Sequence, residues 1–121
     1  MNQEDLVEEG KPVYDLEERT FQFAKKVRIW VKKLPRSIGN DEDARQLVKA
    51  SGSVDANYIE ANEALSKKDF LFRLRICRKE AKESAYWIRL IMESNEIIPD
   101  EKEGKALYQE AVELKNLFIH H

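Results

Sequence analysis

The sequence predicts an all-α fold, an antiparallel up-down-up-down four-helix bundle, from three observations. Four segments each open with a helix-start signal. Each continues as a stripe of apolar or small residues at alternating spacings of three and four. Turn punctuation is scarce, with 4 Gly and 3 Pro in 121 residues, which disfavours a turn-rich β fold.

The start signals are capping boxes, in which a short polar residue and an acidic one three positions later satisfy backbone N–H groups of the first turn. They occur as Asp15/Glu18, Asn40/Asp43, Ser66/Asp69 and Asp100/Glu103. Pro35 and Gly39 precede the second, and Pro99 the fourth. Helices are therefore expected over about 15–34, 40–64, 67–95 and 100–119, forming one bundle over 14–121 behind an acidic, flexible tail at 1–13. A chain of 121 residues suits one domain.

The first stripe is Leu16, Thr20, Phe23, Val27, Trp30 and Leu34; the second is Leu47, Ser51, Val54, Tyr58, Ala61 and Leu65. The third is Phe70, Leu74, Cys77, Ala81, Ser84, Ile88 and Ile91, and the fourth is Leu107, Ala111, Leu114 and Phe118. Such spacing lines one face of a helix. Short connections make consecutive helices antiparallel neighbours. Gly52, with the small residues Ser51, Ser53 and Ala56 around it, falls inside the second helix. A helical Gly costs about 0.5–1 kcal/mol relative to Ala, so close approach of another helix is expected there. No GxGxxG or Walker pattern makes it a phosphate loop.

Apolar residues are 42% and charged residues 36%, with net charge −2. The charge is segmented: residues 15–33 hold six basic and three acidic residues, and 67–95 hold eight and four. Residues 34–66 and 96–121 each hold three basic and six acidic. The lone Cys77 excludes an internal disulfide and a Cys-based zinc site. No apolar run approaches the ~20 residues needed to span a bilayer, and the acidic start lacks a signal-peptide pattern. A cytoplasmic location is expected.

Catalytic constellations are sparse. A di-iron bundle needs Glu-x-x-His on two helices; the histidines are His120 and His121, neither with Glu three positions before it. The sequence leaves open whether those two are native or tag residues. Cys77 lies on a core stripe, and Ser51, Ser53 and Ser84 have no internal histidine to activate them. Glu60, Glu63, Glu80 and Glu83 read as paired carboxylates or, more simply, as salt-bridge partners. No enzyme activity, cofactor or metal is expected. Asn57, Glu60 and Asn62 flank the second helix's seam and are expected to make inter-helix polar contacts.

The third helix carries two further patterns. Lys68, Arg75, Lys82 and Arg89 recur every seven residues, with Arg78 and Lys79 beside them. Such a line can hold phosphates, with Tyr86 placed to stack on a base. Alternatively it is a solvated face paired with Glu on the second and fourth helices. Phe72, Ile76, Tyr86 and Leu90 form a second apolar stripe, interrupted by Lys79 and Glu83, and Phe21 and Ile29 add apolar residues to the first helix outside its seam. An exposed apolar line marks an interface, so a homo-oligomer is expected. The alternative is a third helix that contacts two neighbours within one bundle.

Two stretches, "YDLEERTFQFAKKVRIWVKKLP" (Tyr14–Pro35) and Ser51–Ile91, resemble the four helix bundle proteins encoded within 23S ribosomal RNA intervening sequences. "ANYIEA", "KKDF" and "CRKEAKES" carry the resemblance most strongly. It implies a bundle without an assigned activity and an oligomer, with ring-shaped pentamers the best described. A related accessory protein of diversity-generating retroelements associates with a reverse transcriptase and nucleic acid, but it is basic, whereas this chain is not. The function expected is a non-enzymatic oligomeric scaffold or accessory protein acting by protein–protein interaction. The alternative is an RNA- or DNA-binding accessory factor using the basic face of the third helix.

Overall fold

The computed structural model describes residues 15–118. Four helices follow in order: α1 (Asp15–Val31), α2 (Ile38–Asn62), α3 (Lys67–Glu93) and α4 (Glu101–Phe118). No strand occurs among the described residues. Consecutive helices pack side by side, and the looser α1–α4 seam closes the bundle. The acidic tail, His120 and His121 lie outside the described residues, as does the Asp15 side chain of the first expected capping box.

The start of α3 follows the sequence rule: Ser66 Oγ accepts from the Asp69 N–H at 3.1 Å. The start of α2 does not. Ser37, in extended backbone, is the N-cap, and its Oγ accepts from the Asn40 N–H at 3.0 Å. Asn40 is buried and does other work. Its Nδ2 donates to Pro35 O at 2.9 Å and to Asn95 Oδ1 at 3.0 Å, while Asn95 Nδ2 donates back to Asn40 Oδ1 at 2.8 Å. This reciprocal amide pair ties the α1–α2 connection to the end of α3.

Asp100 opens α4 from the left-handed region, at φ 54°, where Asp is among the few tolerated non-glycine residues. Its carbonyl accepts from the N–H groups of Glu103 and Gly104 at 3.1 and 3.2 Å, and from Trp30 Nε1 at 3.2 Å. Lys33 Nζ donates to its carboxylate at 2.8 Å. That hydrogen bond, with the lysine charge and the Glu103 N–H, holds the Asp100 carboxyl below the usual carboxylate range.

The four stripes converge on one core in which Trp30, Tyr58, Phe23 and Leu74 are essentially inaccessible. The Tyr58 and Phe118 rings meet at 5.8 Å between centroids. Leu65 departs from its stripe and is fully exposed. Its helix ends at Asn62, where the Glu63 and Ala64 N–H groups bond back to Glu60 O and Ala61 O, both at 3.1 Å, and the chain turns away from the core. Cys77 is buried and donates to Val54 O at 3.5 Å. Burial pushes its thiol up to about 12, so it stays protonated and unreactive at neutral pH.

The close-approach glycine is Gly104, not Gly52. A Cβ on Gly52 would meet only the far end of Arg28, with Nη2 at 3.0 Å. Arg28 fills that space and donates to Ala24 O and Val48 O at 3.0 and 3.3 Å. A Cβ on Gly104 would lie 2.6 Å from Met92 Sδ and 2.7 Å from Trp30 Cζ2. The small residue therefore admits α1 and α3 against α4.

Candidate interaction surface

At 3.6 residues per turn, Phe72, Lys79, Tyr86 and Leu90 fall on the side of α3 opposite Phe70 and Ile88. Phe72 and Tyr86 are each 54% exposed, whereas Ile76 and Leu90 are half-buried. The Tyr86 ring packs edge-on against Trp87 at 4.8 Å. The Arg73 guanidinium lies 5.9 Å from the Phe72 ring centre. A hollow of about 200 Å³ beside Leu90 is lined by Tyr86, Arg89, Leu90 and Glu93. Phe21 and Ile29 of α1 are also exposed.

Arg75, Arg78, Lys82 and Arg89 occupy the flank between this outward line and α4, while Lys68 and Lys79 lie on the line itself. Lys68, Arg75, Arg78, Lys79 and Lys82 are exposed, and among the described residues none forms a salt bridge. The expected pairing with Glu on α2 and α4 is therefore not made. Arg89 differs: its Nε contacts Glu93 Oε2 at 2.7 Å, one turn along its own helix. Arg89 also lines a hollow of about 310 Å³ with Met92, Gly104, Lys105 and Tyr108, which fixes α4 as the neighbour on this flank.

The other flank of α3, against α2, is polar and engaged. Asn57 Oδ1 accepts from Arg73 Nη1 at 3.1 Å, and its Nδ2 donates to Ser53 O and Oγ at 2.9 and 3.0 Å. Asn62 Nδ2 donates across to Glu17 Oε2 on α1 at 3.1 Å. Glu60 does not join them. Two residues past Tyr58 it has turned about 200° from the core direction, and its carboxylate is exposed without a partner among the described residues. Burial raises the Glu80 carboxyl, opposed by the Ser53 hydroxyl and reinforced by Glu83. Glu80 thus faces α2 through Ser53, whereas Glu83 accepts from Trp87 Nε1 at 3.3 Å, one turn along its own helix.

Sequence reading missed Arg73 and the α1–α4 clasp. Arg19 donates through Nε and Nη2 to Glu110 at 3.0 and 2.6 Å and reaches Glu113 at 3.3 Å. The Glu110 hydrogen bond raises the Arg19 pKa. The pair lines a groove of about 500 Å³ shared with Gln22, Phe23, Lys26 and Glu103. Among the described residues, no three His, Cys, Asp or Glu side chains gather to hold a metal, and no helix is long and apolar enough to cross a membrane.

Fold and surface thus define a single-chain antiparallel four-helix bundle with a cationic, aromatic outer helix. The chain belongs to the 23S rRNA-intervening sequence protein family, whose profile matches residues 14–120. A crystal structure of a protein of unknown function from the S23 ribosomal protein family of Bacteroides thetaiotaomicron is similar at 25% identity and TM-score 0.72, covering 87% of this chain and 95% of that one. A search of curated proteins returns no match.

Proposed function

We propose that the chain is a non-enzymatic cytoplasmic scaffold or accessory protein that self-associates through the outer face of α3 into a ring. The observation that supports this reading is the pair of half-exposed aromatics, Phe72 and Tyr86, on one line with Leu90 and beside Ile76. A lone bundle leaves these side chains in water, and a second copy removes them from it. The family resemblance favours a pentamer. Light scattering should give a multiple of the monomer mass at micromolar concentration. A Phe72→Glu, Leu90→Glu variant should retain its helical circular dichroism and fall to the monomer. A wild-type monomer throughout that range overturns the reading.

A second reading, an accessory factor that binds RNA or DNA, draws on the exposed cations of α3, of which Arg89 alone is paired, with Glu93, among the described residues. Affinity for a structured RNA should then fall with added salt. Charge reversal at Lys68, Arg75, Lys82 and Arg89 should abolish binding at low salt, since each lost phosphate contact removes about 0.7–0.9 from the log–log salt slope. Binding that survives the reversal sinks this reading.

A further inference from the structure

We propose that the acidic segment Glu4–Glu9 docks in cis on the cationic flank formed by Arg75, Arg78 and Lys82 of α3 with Lys115 of α4. This inference does not rest on self-association, because Arg78 and Lys82 are turned from the Phe72–Leu90 line toward α4, with Arg75 at its border.

Charge supplies the first argument. Residues 1–14 hold four acidic residues and one basic, so the remaining 107 hold 20 basic and 19 acidic. A slightly positive bundle thus follows a strongly negative leader segment. On the bundle, Arg75, Arg78, Lys82 and Lys115 have no carboxylate within salt-bridge distance among the described residues. The leader places its acids as two doublets, Glu4-Asp5 and Glu8-Glu9, around Leu6-Val7.

Geometry supplies the second. Arg19 of α1 grips Glu110 and Glu113 of α4, and Gly104 of α4 abuts Met92 of α3. Extending these antiparallel registers sets the start of α1 beside the last turns of α4 and the N-terminal half of α3. Neighbouring helix axes lie about 8–10 Å apart, so the route from α1 across α4 to α3 is about 20 Å. Glu9 is six positions from Asp15 along the chain and Glu4 is eleven. Extended, these reach about 20 Å and about 36 Å. The nearer doublet can therefore meet Lys115 and Arg78, and the farther one Arg75 or Lys82. Single exposed ion pairs are weak, so docking requires both doublets and dissolves in salt. The docked segment shields this flank and competes with any polyanion for it.

The full chain carrying Gln3→Cys and a nitroxide label tests this; the buried, protonated Cys77 is spared by the reagent. At low salt, the amides of Arg75, Arg78, Lys82 and Lys115 should broaden. Broadening should vanish at 1 M salt, where the Debye length is about 3 Å, and in the Glu4→Gln, Asp5→Asn, Glu8→Gln, Glu9→Gln variant. No broadening on this flank at low salt, or broadening that survives neutralisation, overturns the proposal. Broadening only between differently labelled copies in a mixture overturns docking in cis. Inorganic polyphosphate should bind the neutralised variant about tenfold more tightly than the wild type, as expected for displacement of a tethered competitor at high effective concentration. Equal affinities overturn the competition.

Discussion

Replacing Gly104 with alanine is expected to destabilise the fold by about 1–3 kcal/mol, the usual cost of overpacking a filled core. The new methyl would stand 2.6 Å from Met92 Sδ and 2.7 Å from the Trp30 ring, both inside van der Waals contact. Met92 is half-buried and has torsions to spend. Trp30 has none: its side chain is inaccessible, and its Nε1 is committed to Asp100 O at 3.2 Å. Relief must come from moving α4 away from α1 or from breaking that hydrogen bond, which would also loosen the left-handed turn at Asp100. Urea denaturation should show a lower midpoint at unchanged slope. In a Met92→Ala background the same substitution should cost less, because one of the two clashes is gone. Helix propensity alone would give the opposite sign, a gain of about 1 kcal/mol. A raised midpoint would therefore show that α4 does not approach this closely. Gly52→Ala is the internal control. Its methyl meets only the end of Arg28 at 3.0 Å, so propensity should win and stability should hold or rise.

These two glycines show what a sequence can and cannot tell. The apolar stripes were legible because period is a local property: Phe23, Val27 and Trp30 announce a face whatever lies across from it. Which glycine a neighbouring helix approaches is not local. Gly52 sits among small residues and invites that reading, yet the helix surface opposite it presents a flexible Arg28. Gly104 sits among ordinary helix formers, and its role depends on Trp30, 74 positions earlier in the chain. The Arg19–Glu110 clasp is hidden for the same reason, its partners being 91 residues apart. On the surface, the cation row of α3 was legible from its seven-residue spacing. That Lys68, Arg75 and Lys82 lack partners while Arg89 pairs with Glu93 was not, because carboxylates elsewhere in the chain outnumber the cations there and only packing decides which come near. Glu60 shows the converse: composition and proximity suggested a partner, and its direction on α2 denied it one. The start of α2 was ambiguous locally, since Ser37 and Asn40 are both good caps. Asn95, on a distant turn, settles the matter by engaging the Asn40 amide.

That engagement carries the other large expected effect. Asn40→Ala should cost about 1–3 kcal/mol, because it empties a buried position and takes the Asn40 donor from Pro35 O and Asn95 Oδ1, while Asn95 Nδ2 keeps only its bond to Ile91 O at 2.8 Å. The cap itself should survive, since the Asn40 backbone N–H bonded to Ser37 Oγ at 3.0 Å is untouched. Thermal or urea unfolding of Asn40→Ala, Asn95→Ala and the double variant separates pair from parts. Because the amides hydrogen-bond to each other at 3.0 and 2.8 Å, the double variant should lose less than the two single losses combined. Simple additivity would show that each amide is held by its backbone partner alone. Asn40→Asp sharpens the argument. A carboxylate accepts from Asn95 Nδ2 but cannot donate to Pro35 O, and burial disfavours its charge, raising its folded pKa above the unfolded value. The sign follows from linkage: the folded state binds the proton more tightly, so the variant's deficit is greatest above the folded pKa and shrinks as pH falls through it. Expressed as a difference from wild type, stability should recover on acidification. A deficit that is flat with pH would mean that the side chain at position 40 has left the buried site for solvent.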